Sequence, residues 1–136
     1  MERNFIDGYT EWQTNPEIVA VNKLPQHATL MPYENFDEAK KADRYASTRC
    51  KLLNGKWKFK LYKNYAYRPS DFAQPHYDSH NWDSVIVPCS WQMQGYDQAQ
   101  YCNVRYPWEG SEDICPPNAP TKHNPVGCYL LSLIHI

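Results

Sequence analysis

Apolar and polar positions alternate most cleanly between Leu53 and Tyr62, where Trp57, Phe59 and Leu61 fall on one side and Lys56, Lys58 and Lys60 on the other. A period of two over that length predicts a half-buried β-strand with one apolar and one wet face, entered through an Asn54-Gly55 turn. Ser84-Val85-Ile86-Val87 predicts a shorter, more fully buried strand, stopped by Pro88. Gly127 to Leu130 begins like a third. Helical spacing is confined to residues 35–50, where Asn35 stands at a capping position and Glu38, Ala39, Ala42 and Tyr45 recur at helical intervals. Residues 1–32 hold Pro16, Pro25 and Pro32 and no sustained period, which predicts an extended arm that gains order by lying on something else. Pro69, Asp71, Pro75 and Asp78 mark a loop or short helical turn between the first two strands. Residues 89–108 read as a structured irregular loop. Pro107, Pro116, Pro117, Pro120 and Pro125 leave little room for regular structure in residues 107–125.

Two strands and the start of a third do not close a sandwich. Such a sheet exposes its edges, and it buries little apolar surface against a chain entropy of about 1–2 kcal/mol per residue. The pattern therefore implies a piece of a larger β-structure, or a chain that needs a partner.

Charge narrows the classes. With 14 Lys and Arg against 15 Asp and Glu the net charge is −1, and no basic stripe or run of like charge occurs, so neither nucleic acid nor a membrane surface is an expected partner. No apolar run has the length of a bilayer span, and MERNFIDGYTEW lacks the apolar core of a signal peptide, so a cytoplasmic location is expected. The five cysteines (Cys50, Cys89, Cys102, Cys115 and Cys128) are odd in number, widely spaced and without a C-x-x-C, which argues for reduced thiols rather than a disulfide scaffold or a zinc ribbon. His76 and His80 are four apart, but in the turn-like PHYDSHNWD that spacing does not signal a metal site.

Aromatic content changes the picture more. Five Trp, eleven Tyr and four Phe make up 15% of the chain, yet mean hydropathy is −0.77. Rings set among polar residues suit stacking on the C–H faces of sugars, although Trp and Tyr are more often core or core-edge residues. Asp78, Asp83, Glu109, Glu112 and Asp113 lie in turn-rich stretches, where carboxylates are usually solvated or cap a turn, so none is assigned a catalytic role.

Six ordered blocks carry a more specific signal: WQTNPEIVAVNKLPQHAT at 12–29, DRYAS at 43–47, KLLNGKWKFKLY at 51–62, WDSVIVPCSWQMQGYD at 82–97, YCNVRYPW at 101–108 and NPVGCY at 124–129. Together they resemble the N-terminal region of the β-galactosidases of glycoside hydrolase family 2. The resemblance implies a mainly β fold: an incomplete jelly-roll β-sandwich of the galactose-binding type (residues 51–130), preceded by an extended arm with a short helical segment (residues 1–50). It implies a parent enzyme that hydrolyses terminal β-galactosides of the lactose type with retention, using two glutamates about 5–5.5 Å apart. Those glutamates belong to a later TIM barrel, so the catalytic set expected within residues 1–136 is empty and the chain alone is expected to be inactive.

The resemblance also assigns residues. Asn103, in Asn103-Val104-Arg105-Tyr106-Pro107, matches an Asn that reaches the active site and holds galactosyl hydroxyls; an amide suits this, being both donor and acceptor. Glu11, Asn15 and the carbonyl of Ile18 match a peripheral Mg²⁺ site made of oxygen ligands, although this arm has an extra residue between Trp12 and Asn15, and Glu stands where Asp is usual. A monovalent cation such as Na⁺ is implied for the parent, as is a tetramer-like homo-oligomer in which the arm helps complete an interface, with Ile18, Val19, Val21 and Leu24 as apolar anchors. The sister β-glucuronidases and β-mannosidases share the sandwich; the WQMQGYD and NVRYP blocks favour galactosidase. Two other classes remain: a free-standing carbohydrate-binding module, and a segment that complements a truncated partner.

The final LSLIHI, residues 131–136, departs from the family pattern. It resembles the translation of a transposon-end adaptor used in preparing DNA sequencing libraries, so these residues are not expected to belong to the parent.

Overall fold

The computed structural model describes residues 15–20, 23–99, 101 and 103–132. Its centre is a three-stranded antiparallel sheet of β1 (Gly55–Tyr62), β2 (Asp83–Val87) and β3 (Val126–Leu130) in the order β2-β1-β3. The chain is mainly β, as its periodicity predicts, and the strongest alternating segment is the central strand.

Register sorts the side chains, because directly opposed residues share a face. Trp57 faces Val85, Phe59 faces Tyr129, and Leu61 faces Gly127. Phe59 is fully buried on this side and Val85 is 1% exposed. The cover is the 3-10 turn Trp91–Gln94 and the residues just after it: the Phe59 ring lies 6.1 Å from Trp91 and 4.8 Å from both Tyr96 and Tyr129. Offset and edge-on aromatic packing of this kind adds to area burial.

The lysine face is less wet than the alternation predicts. Lys56 is exposed, but Lys58 and Lys60 are half-buried, and Cys128, opposite Lys60, is 2% exposed. The excursion between β1 and β2 folds over it. Trp82 packs against Phe72 and Tyr77, and Lys58 Nζ donates to the Trp82 carbonyl at 3.3 Å. The lysine stems cover apolar surface while their ammonium groups find oxygen. Burial, reinforced by the neighbouring Tyr77, pushes the Tyr62 hydroxyl up to about 12, and burial raises the Cys128 thiol.

The predicted helix is shorter than its sequence window. α1 covers Phe36–Lys41, with Asn35 Oδ1 accepting from the Glu38 N–H at 2.9 Å and Ala42 closing it in the left-handed region. Asp43 then caps a separate 3-10 turn, Arg44–Ala46, by accepting from the Tyr45 N–H. That local competition for the backbone ends the helical register before Tyr45. Nor is a turn formed at Asn54-Gly55: Gly55, at φ 129°, is the first residue of β1, entered from irregular chain.

The described part of residues 15–32 contains no helix or strand, and Val19 and Leu24 are exposed; Val21 lies outside the described residues. The arm joins the rest through buried Ser47, whose hydroxyl donates to the Pro32 carbonyl at 3.0 Å, and through Glu34, which accepts from Thr48 and pairs with Arg49. Of the departing tail, Leu131 and Ser132 follow β3 as irregular chain, and residues 133–136 lie outside the description. No helix among the described residues is long and apolar enough to cross a membrane.

Candidate functional site

The site grows from the end of β2. The Trp91–Gln94 turn closes at Gly95, φ 86°, whose N–H is shared by the Trp91 and Gln92 carbonyls. Gln94 reaches back along β2, accepting from the Ile86 N–H at 2.7 Å and donating to the Ile86 carbonyl at 3.1 Å. That amide imitates a neighbouring strand on the edge β1 does not use.

Asp97, at φ 64°, then turns the chain outward into the long connection to β3. Asp97 Oδ1 lies 3.6 Å from His123 Nε2, and its side chain is 9% exposed. The connection is drawn together further along by polar stitches. The Trp108 indole N–H donates to the His123 carbonyl. Glu112 accepts three hydrogen bonds, from the Thr121 N–H and hydroxyl, both at 2.7 Å, and from the Lys122 N–H at 2.9 Å. The Thr121 backbone and hydroxyl bonds hold the Glu112 carboxyl below the usual carboxylate range. Asn64 ties this region to the end of β1 through the Thr121 carbonyl and a parallel bridge to Asn124.

These stitches shape a cleft of about 490 Å³ with Tyr101, Arg105, Tyr106, Trp108, Glu109 and His123 among its walls. Trp108 is held at φ 68° while its carbonyl accepts from the Ser111 and Glu112 N–H groups. Glu109 Oε2 accepts from the Tyr106 N–H at 3.0 Å. Aromatic faces, a guanidinium, a carboxylate and an imidazole thus meet in one concavity, the mix of apolar lining and few polar groups that small-molecule sites use.

Asn103 sits exposed on the turn between cleft residues Tyr101 and Arg105, without itself lining the cleft. Asn15 and Ile18 share a turn in the arm: Asn15 Oδ1 accepts from the Glu17 N–H at 3.0 Å, and its carbonyl accepts from the Ile18 N–H at 3.2 Å. An amide oxygen and a backbone carbonyl are the kinds of oxygen donor a hard cation takes; Glu11 lies outside the described residues. Neither Asn15 nor Ile18 lines the cleft. Among the described residues no three His, Cys, Asp or Glu side chains converge as a metal set. His80 turns to Asp78, with Nδ1 at 2.8 Å from Oδ2.

The profile of the glycosyl hydrolases family 2 sugar binding domain matches residues 50–134. The chain belongs to this family. The chain is 48% identical to a beta-galactosidase of Priestia megaterium over 124 residues, 91% of this chain and 12% of that protein. It is 40% identical to a beta-galactosidase of Halalkalibacterium halodurans over 119 residues, 88% of this chain and 12% of the relative. It is 38% identical to one of Clostridium acetobutylicum over 120 residues, 88% of this chain and 13% of that protein. The chain therefore spans about one eighth of the length of these relatives. Within the family 2 domain, sequence reasoning missed the Glu112 clasp and the Asp97–His123 pair. Their partners lie 9 to 26 residues apart across proline-rich chain, where no periodicity reports on pairing.

Proposed function

We propose that this chain is the front segment of a retaining β-galactosidase that removes terminal non-reducing β-D-galactose from lactose-like β-galactosides. The observation that carries this reading is the 48% identity to a beta-galactosidase across 91% of the chain. The catalytic carboxylates lie outside residues 1–136, so the segment supplies sugar-contact and assembly surface and does not hydrolyse substrate by itself. Residues 51–130 form the first part of a jelly-roll sugar-binding sandwich, and residues 1–50 its arm. The enzyme is cytoplasmic and assembles as a tetramer-like homo-oligomer.

Asn103 is the residue of this segment that enters the active site, where its amide bridges galactosyl hydroxyls. In the full-length enzyme, Asn103→Ala is expected to lower kcat/KM by roughly tenfold to a hundredfold, the effect of leaving sugar hydroxyls unpaired; activity equal to wild type would sink the assignment. Glu11, Asn15 and the Ile18 carbonyl would hold a peripheral Mg²⁺, which supplies charge to knit the arm to the body. A monovalent cation such as Na⁺ also serves the parent enzyme. Residues 131–136 do not belong to the enzyme, and longer genomic reads over the locus are expected to replace LSLIHI.

A second reading is favoured by the exposed apolar arm. Val19 and Leu24 are more than four-fifths exposed, as expected of a segment that complements a partner. Mixing the chain with an arm-deleted β-galactosidase and following a chromogenic galactoside separates the two readings, since only the second restores activity.

A further inference from the structure

The connection between β2 and β3 is gathered at its base by two side chains that face each other without a hydrogen bond. Asp97 Oδ1 lies 3.6 Å from His123 Nε2, beyond the roughly 2.7–3.2 Å that such a bond spans. The Asp97 side chain is 9% exposed. Its second oxygen, Oδ2, is buried and accepts no hydrogen bond among the described residues. A carboxylate oxygen buried in that condition is costly, and a positive charge beside it removes the cost. A neutral imidazole does not bring one.

Neither donor is loose. Tyr96, the neighbour of Asp97, packs its ring 4.8 Å from that of fully buried Phe59. The His123 carbonyl accepts from the Trp108 indole, and the next residue, Asn124, bridges to Asn64. The His123 ring is 44% exposed and stands in the wall of the cleft, which leaves an entry path for a hydrated ion. Two donors held by separate anchors and open on one side lose little freedom when they take a ligand.

The spacing selects that ligand. Zn²⁺ bonds of about 2.0–2.2 Å at the tetrahedral angle set two donor atoms about 3.3–3.6 Å apart. Mg²⁺, octahedral with bonds of about 2.0–2.1 Å, sets neighbouring donors about 2.8–3.0 Å apart and takes oxygen. One imidazole nitrogen beside one carboxylate oxygen suits the zinc-like cations better than magnesium. We infer that Asp97 and His123 form a site for a divalent transition cation of the zinc class, with water in its remaining positions. Bound there, the ion neutralises Asp97 and pins the exit from β2 to the approach to β3, closing the base of the 97–123 connection. The site shares no residue with Glu11, Asn15 and Ile18, and it does not depend on the role of Asn103.

The test uses the full-length enzyme, stripped of metal by chelation and titrated with Zn²⁺ alone. Wild type, His123→Gln and Asp97→Asn are compared by elemental analysis of bound zinc and by calorimetry. Each variant is expected to lose about one zinc equivalent per chain, or to bind it at least about tenfold more weakly. Asp97 is buried, so where Asp97→Asn fails to fold the half-exposed His123→Gln decides alone. Zinc content and affinity unchanged in His123→Gln overturn the proposal, as does displacement of this zinc by an equal concentration of Mg²⁺. The readout is bound metal and not hydrolysis, so a failure here is distinct from a failure of the galactosidase reading.

Discussion

Gly127 on β3 lies directly beneath the Trp91 ring: a Cβ at residue 127 would sit 2.7 Å from Trp91 Cζ3 and 2.8 Å from Phe59 Cε2. Both neighbours are rings on the same crowded face, so neither yields without moving the other. Gly127→Ala is therefore an overpacking change and should cost roughly 1–3 kcal/mol. Hydrogen exchange in the full-length enzyme should show faster exchange of the β3 amides. Trp91→Leu should soften the effect of the glycine change, because the two sites share one contact and their effects are not additive. Additivity in the double variant would show that the ring does not set the requirement for glycine.

The Glu112 clasp has a definite pH sign. Its folded value is depressed by hydrogen bonds from Thr121 and Lys122, so its contribution is fully present above the ordinary carboxylate value and is lost as pH falls through the lower folded value. Acidification should thus loosen residues 106–124 before it unfolds the sheet, seen as earlier protease cleavage in that stretch. Glu112→Gln should reproduce the loosening at neutral pH, since an amide has one acceptor oxygen in place of two. If cleavage in this stretch is the same in wild type and variant at both pH values, the carboxylate is not what closes the loop.

The sheet was more legible in the sequence than the site. β1 announces itself by period two and β2 by the short run Ser84–Val87, which Pro88 ends where its missing N–H requires; the fuller burial expected of β2 is not found, since Val85 alone is buried and Ile86 is 51% exposed on the outer side of an edge strand. Asn35 is readable as a cap because capping is local chemistry, decided within three residues. The lysine face misled because alternation reports polarity and not cover. Nothing in Lys58 says that Trp82, 24 residues on, will offer it a carbonyl. The role proposed for Asn103 comes from resemblance alone, since an exposed Asn in a turn has no pattern of its own. The cleft depends on Asp97, Glu112 and His123 meeting across 26 residues of irregular chain, and such pairing is fixed by packing that no period encodes.

Gln94 guards the free edge of β2. Its side-chain amide meets both the N–H and the carbonyl of Ile86, and an unpaired strand edge is a template for unwanted pairing. Gln94→Ala should expose both groups and cost about 1–2 kcal/mol, with faster exchange of the Ile86 amide. Gln94→Glu keeps an acceptor for the N–H but loses the donor to the carbonyl, so its effect should fall between wild type and Ala. A Glu variant as damaged as Ala would mean that the donor half of the pairing carries the effect.

The isolated 136-residue chain should neither melt cooperatively nor cleave a galactoside. Among the described residues, Phe59, Trp82, Val85 and Cys128 are the buried apolar side chains. Each of these belongs to the sheet or its immediate cover, while Leu24, Leu30, Val104 and Tyr106 stay more than four-fifths exposed. So small a core does not offset the entropy of ordering the loops around it. Calorimetry of the purified chain should show a broad transition of low enthalpy. A sharp two-state endotherm near about 95 kcal/mol, the value expected of a fully packed domain of this length, would show instead that the segment is a self-sufficient module.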